Sequence, residues 1–411
     1  MKLKFRRKQA LSMVLSTALL LTQLSPALAN QQVLSSSISV LSGAYDSVTV
    51  TTNKQFMNAL EQGIGHIIVS DVVTIGTEAE ESGRMLPVFI PAGTTIEGTS
   101  GGILNCRCPI QLEGDGVTFK NIELLFESSD ALGSIPHREI FLAGYSLTLD
   151  NVSTYLKGGG GAFGPLGGYE TELLPSVFAG GYKNTSIGSN AALTIRNSNS
   201  KTILQDIYMG HEEGKYQHVP YTEDVTLELD NSVTVRGGVY TDLNRSAEIF
   251  LSGNGKSLFN NVKTTNFIGN DTTTLTITNC SIFEGITDGI GTITLKENSY
   301  FMPHTNQFQT ISLQDNSCLD LSEAINVTVS GDFEGGNYDA SLPDNNTAGL
   351  LVLDKEGTLT IEGNVTGTTV FQTENRNFPG DPVVGRRYII ADWNEIDEES
   401  FIVTEKYDNY E

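Results

Sequence analysis

The densest group of side chains able to do chemistry lies between residues 206 and 224. It holds Asp206, His211, Glu212, Glu213, His218, Glu223 and Asp224, with Tyr208 and Tyr216 among them. Imidazoles and carboxylates in one short stretch can bind a cation or move a proton. Asp206, His211, Glu212 and Glu213 are therefore the candidate catalytic set. Their spacing matches neither His-Glu-x-x-His nor another metal signature, so a solvated polar loop is the competing account. His137, Arg138 and Glu139 form a smaller group of the same kind. Ser252-Gly253-Asn254-Gly255-Lys256-Ser257 has the outline of a phosphate loop, but Phe250 stands where the first glycine belongs, and a turn explains it better.

The four cysteines, Cys106, Cys108, Cys280 and Cys318, are too few for a disulfide framework. Cys106 and Cys108 share one side of an extended segment, and zinc would need two more ligands than the spacing supplies. All four are expected as free, largely buried thiols. Net charge is −24, from 49 acidic and 25 basic residues. That argues against nucleic acid and anionic membrane surfaces as partners, and neither is expected. No cofactor is implied; Ca²⁺ is the one ion such an acidic chain leaves open. The single Trp, Trp393, argues weakly against a dedicated sugar groove lined by indoles.

The elements that must position these groups begin after a leader. Lys2, Lys4, Arg6, Arg7 and Lys8 precede an apolar run from Ala10 to Leu24, and Ala27-Leu28-Ala29 follows. These are the three parts of a secretory signal peptide, and the apolar run is too short to span a bilayer. Residues 1–29 are read as the leader of an exported bacterial chain and 30–48 as an extended lead-in. No transmembrane segment is expected after cleavage, and the location is extracellular or at the cell surface. A short helix is expected over residues 52–63, with Thr52 or Asn53 as cap, Phe56, Ala59 and Leu60 on one face, and Gly63 as the stop.

Beyond that helix the chain reads as strands. His66–Val69 and Val72–Ile75 are β-branched runs, and Val88–Gly98 gives two strands around Pro91-Ala92-Gly93. A phrase then recurs: Val117-Thr-Phe-Lys-Asn121, Leu147-Thr-Leu-Asp-Asn151, Leu193-Thr-Ile-Arg-Asn197 and Leu275-Thr-Ile-Thr-Asn279. A form with one extra residue ends on Asn298, Asn316 and Asn364. Alternate apolar residues face one side of a strand, and Asn tolerates the left-handed backbone of a bend. A strand with an Asn bend, repeated, lets coils stack in parallel, share one core and line up their amides.

With these residues in view, the chain resembles pectate-lyase-like right-handed parallel β-helix proteins. The resemblance rests on the early helix, the Ile90-Pro-Ala-Gly-Thr-Thr-Ile-Glu-Gly98 stretch and the Val117-Thr-Phe-Lys-Asn-Ile122 phrase. It covers roughly residues 50 to 370 and is structural in its motifs. It implies an all-β solenoid with a capping helix, among non-catalytic, adhesin-like secreted or surface proteins. The family's enzymes carry further motifs. Ile286-Thr287-Asp288-Gly289 resembles a fragment of a galacturonase phrase, but its paired Asp-Asp and Gly-His-Gly are missing, as is a Trp-Ile-Asp-His lyase phrase. Asp288 is then a turn residue.

The expected organisation is a β-helix over 49–370 with glycine-rich loops in 157–190, then closing strands over 371–411. The stop at Glu411, soon after a strand, leaves open a longer parent chain. The expected function is adhesin-like binding or structural support toward a host, matrix or cell-surface glycan or protein. A polysaccharide lyase or glycoside hydrolase acting on acidic or neutral chains is the alternative.

Overall fold

The computed structural model describes residues 47–76, 86–126, 138–154, 174–183, 187–210, 219–230, 232–253, 262–263, 266–323, 326–337, 347–354, 358–374, 391–395 and 401–403. They form a right-handed parallel β-helix, and every pairing between its strands is parallel. The core is one continuous apolar column enclosed by three faces.

The helix Asn53–Glu61 sits at the start of the solenoid. Thr52 is its cap, with extended backbone and a hydroxyl that accepts from the Gln55 amide. Phe56, Ala59 and Leu60 turn inward onto the first coils, and Gly63 leaves the helix at φ 66°. The amphipathic spacing and the glycine stop produce this geometry directly.

The first face carries the recurring phrase. Val117, Leu147 and Leu193 lie in register, as do Leu275, Ile293 and Ile311. Two coils between these groups carry only an altered form of the phrase, Leu227-Glu-Leu-Asp-Asn231 and Ile249-Phe-Leu-Ser-Gly253. Val225–Asp230 and Ala247–Ser252 join the same sheet with Leu227 and Ile249 in the same inward column. Coil length varies from 18 residues, between Ser299 and Ser317, to 46, between Asp150 and Arg196. The strands of the longest and the shortest coils keep the same in-register pairing.

After the bend each coil enters the third face, whose strands include Ile103–Cys106, Ile282–Gly285, Tyr300–Pro303 and Cys318–Leu321. It then enters the second face, represented by Ile110–Leu112, Glu139–Phe141, Ser176–Phe178, Ile207–Tyr208 and Gly238–Tyr240. Inward Phe267, Phe283 and Phe301 pack in sequence, with centroids 5.2 and 5.0 Å apart.

Asn121, Asn151, Asn197, Asn279, Asn298 and Asn316 all have φ between 51° and 58°. The longer form of the phrase puts two left-handed residues in a row, Glu297 with Asn298 and Asp315 with Asn316. Asn364 departs from this pattern. Its strand, Leu359–Thr366, crosses a corner: Leu359–Ile361 pairs with Val327–Val329, and Val365–Thr366 pairs with Phe333–Glu334. Asn364 therefore stands within a strand, and its amide and side chain bond the Asp332 carboxylate at 2.9 and 3.2 Å. The apolar alternation is the same on every face, so the phrase alone does not reveal which face it occupies.

Parallel stacking also continues past residue 370. Ala391–Glu395 lies on Leu359–Asn364, and Phe401–Val403 lies on Thr369–Phe371, as further layers of the same helix. No helix among the described residues is long and apolar enough to cross a membrane.

Candidate functional site

Outward positions on the three faces decide what this molecule can touch. On the second face Ile140, Val177, Ile207 and Val239 point inward, so their neighbours point out. One outward column runs Phe141, Phe178, Tyr208, Tyr240. The rings follow one another with centroids 5.4, 4.9 and 5.0 Å apart, and Tyr182 packs on Phe141 at 5.8 Å. Phe141, Phe178, Tyr182 and Tyr208 are nonetheless buried, and only Tyr240 is partly open. This ladder forms a second apolar cluster outside the main core, and its rings serve packing.

Beside it runs a polar column of Glu139, Ser176, Asp206 and Gly238. Asp206, the first residue of the candidate catalytic set, accepts a hydrogen bond from the Gly238 amide at 3.0 Å. A Cβ on Gly237 would stand 1.9 Å from the same oxygen, so glycine is required for this approach. Asp206 thus closes a backbone turn between two coils. Glu139 lies two strands away in the same column, about 9.6 Å by strand spacing. His137, His211, Glu212, Glu213, Tyr216 and His218 lie outside the described residues.

Glu223 and Asp224 are engaged by the next coil. Arg245 Nε donates to Asp224 Oδ1 at 2.9 Å, Arg245 Nη2 reaches the other oxygen, and the Ser246 hydroxyl donates at 2.7 Å. Arg245 Nη1 also stands 3.5 Å from Glu223. The Arg245 hydrogen bonds hold the Asp224 carboxyl down at about 2. This cluster is a clamp between coils. Among the described residues no group of three or more His, Cys, Asp or Glu side chains is arranged to hold a metal ion.

The early coils of the first face carry alternating charge. Glu97, Lys120, Asp150 and Arg196 succeed one another in register. Lys120 approaches Glu97 at 3.7 Å, and Arg196 approaches Asp150 at 3.1 Å. His66 Nε2 adds a 3.0 Å contact to Glu97. Burial pushes the Glu97 carboxyl up, but the Asn121 amide, His66 and Lys120 together hold it below its ordinary value. The amide ladder is short. Asn151 Nδ2 donates to Asn121 Oδ1 at 2.8 Å, and Asn121 Nδ2 donates to Glu97 at 3.2 Å. Asn197 turns instead to Asp150, at 2.7 Å.

Later coils of the same face differ. One outward column runs Glu228, Phe250, Thr276, Thr294, Ser312, Glu334. Beside it run Glu248, Thr274, Thr292 and Thr310. Phe250, Thr276, Thr292, Thr294 and Thr310 are partly exposed. The four threonine hydroxyls have no hydrogen-bond partner among the described residues. Directly beneath, Ile249, Leu251, Leu275, Ile277, Ile293 and Leu295 are buried. Sequence reasoning did not single out this strip. The signal was there in the polar, uncharged outward positions of consecutive phrases.

All four cysteines are free, Cys106 and Cys108 buried and Cys280 and Cys318 half-buried. Burial raises the Cys106 thiol well above its usual range and pushes Cys108 and Cys318 up to about 12. Cys318 lies in register with Tyr300, and Tyr300 with Ile282, so Cys280 is two coils and two residues away. Asp288 is exposed at the edge of the second face, next to Gly289 at φ 68°. Ser252 and Gly253 end a strand of the first face and its bend, where Gly253 O accepts from Asn279 at 2.6 Å.

No family model, curated protein or solved structure matches this chain.

Proposed function

We propose that the protein is a secreted or cell-surface β-solenoid acting as an adhesin-like binding and structural module, of the pectate-lyase-like kind. The observation that carries this reading is the outer side of the first face. It is a rigid, in-register platform whose later coils present unpartnered hydroxyls and an aromatic ring. A preformed surface on a stacked core loses little conformational freedom when it binds. The leader and the acidic charge fit export and extracellular solubility.

Polysaccharide cleavage is the second reading, and one observation favours it. Glu139 and Asp206 stand in one column two strands apart, so their backbones are about 9.6 Å apart, a spacing from which two carboxyl groups can reach the roughly 6.5–9.5 Å separation of inverting glycosidases. Against it, Asp206 is tied to the Gly238 amide and Glu139 is buried.

A screen of neutral and acidic polysaccharides, with and without Ca²⁺, separates the two. It should record both saturable binding of the mature chain and release of reducing ends or unsaturated products. Binding without product is the expected result. Turnover lost in Asp206→Asn and Glu139→Gln would replace the binding reading with the enzymatic one.

A further inference from the structure

Resting on the binding reading, we propose that the strip of Phe250, Thr276 and Thr294, flanked by Thr274, Thr292 and Thr310, binds one extended, uncharged β-linked polysaccharide chain. The chain lies along the solenoid axis.

The geometry supplies the first argument. Equivalent side chains on successive coils are about 4.8 Å apart, close to the advance of one pyranose residue in an extended β-linked chain. A glycan parallel to the axis therefore meets the same contact once per sugar, from Phe250 through Thr276 to Thr294. Alternate residues along a strand are about 6.7 Å apart, so the Thr274, Thr292, Thr310 column borders one edge of such a ribbon. A coiled α-linked chain would leave this register after one or two residues.

The chemistry supplies the second. Phe250 offers a flat apolar surface, suited to the C–H face of a sugar ring. A threonine offers a methyl group and a hydroxyl that both donates and accepts, which matches a ring whose edges are hydroxyls and whose faces are apolar. The hydroxyls of Thr276, Thr292, Thr294 and Thr310 are uncommitted among the described residues.

Charge supplies the third. The central column carries no formal charge from Phe250 to Ser312, and carboxylates bound it at Glu228 and Glu334. Those carboxylates accept hydrogen bonds from sugar hydroxyls but repel uronate or sulfate. The net charge of −24 opposes acidic polymers over longer range.

The test is calorimetry on the mature chain with hexasaccharides of β-1,4-glucan, β-1,4-xylan and β-1,4-mannan, and hexagalacturonate as the acidic comparison. At least one neutral chain should bind, with affinity rising from the disaccharide and levelling once the strip is filled. Hexagalacturonate should not bind. Phe250→Ala and Thr294→Asp should each weaken binding at least tenfold. Thr118→Ala, in the same outward column near the start, should leave it unchanged. Unaltered melting of the outward-facing variants shows that they fold, and Phe250→Thr replaces Phe250→Ala if it does not. Neutral glycan binding that survives both strip substitutions would overturn this site and leave the binding function standing. No binding to any neutral glycan would overturn the strip, and the broader reading would then stand or fall on adhesion to whole cells and matrix proteins.

Discussion

Asn151 shows how one side chain does two jobs at a bend. Its backbone has φ 53°, and its amide donates to Asn121 at 2.8 Å. A left-handed conformation costs an ordinary residue about 1–2 kcal/mol, and a lost hydrogen bond about 1 kcal/mol. Asn151→Ala should destabilise by about 2 kcal/mol in urea denaturation, and Asn151→Gly by less, because glycine restores the backbone freedom. Equal losses in the two variants would mean that the amide contact alone matters. Asn364 is the instructive contrast. It is the same residue type after a similar phrase, yet it uses its amide on Asp332 inside a strand.

Coils are joined as elements by contacts that cross between them, and the Arg245 clamp on Glu223 and Asp224 is one of these. Asp224 ionises at about 2 in the folded chain, against an ordinary value of 3.8. A depressed carboxyl contributes stability that is full above the ordinary value and is lost as pH falls toward the folded one. The wild-type chain should thus lose stability between roughly pH 4 and 2 relative to Asp224→Asn. Thermal melts at pH 5, 3 and 2 read this directly. Parallel pH profiles for the two chains would show that the clamp does not couple to folding. The capping helix follows simpler rules, because the Thr52 hydroxyl and Gly63 bound it locally.

The whole molecule is one-dimensional, since each coil touches chiefly the coil before and the coil after. Stability is then a sum of coil and interface contributions, and damage stays local. Phe283 lies between Phe267 and Phe301 and is fully buried. Phe283→Ala should cost about 3–5 kcal/mol. Hydrogen exchange should show lost protection in the coils around residues 266–321 while those around 66–126 keep theirs. Uniform loss along the chain would mean that the solenoid unfolds as a single unit.

Much of this architecture is legible in the sequence because it follows from local periodicity. Alternating apolar residues fix strands and their inward side, and Thr52, Phe56 and Gly63 fix the helix. Asparagine at 121, 151, 197, 279, 298 and 316 marks bends that its side chain tolerates. The coils of Val225–Asp230 and Ala247–Ser252 were hidden because Glu228 and Phe250 stand where the phrase has Thr or Ser, and Gly253 stands where other coils have asparagine. Leu359–Ile361 could not be given its face, because alternation is identical on all three. Only stacking decides which outward residues from distant coils become neighbours. It turned Asp206 and Glu223–Asp224 into ties between coils, buried an aromatic ladder on the outside, and drew Phe250, Thr276 and Thr294 into one strip. Coil length varies, so sequence separation does not predict those encounters; the parallel register does.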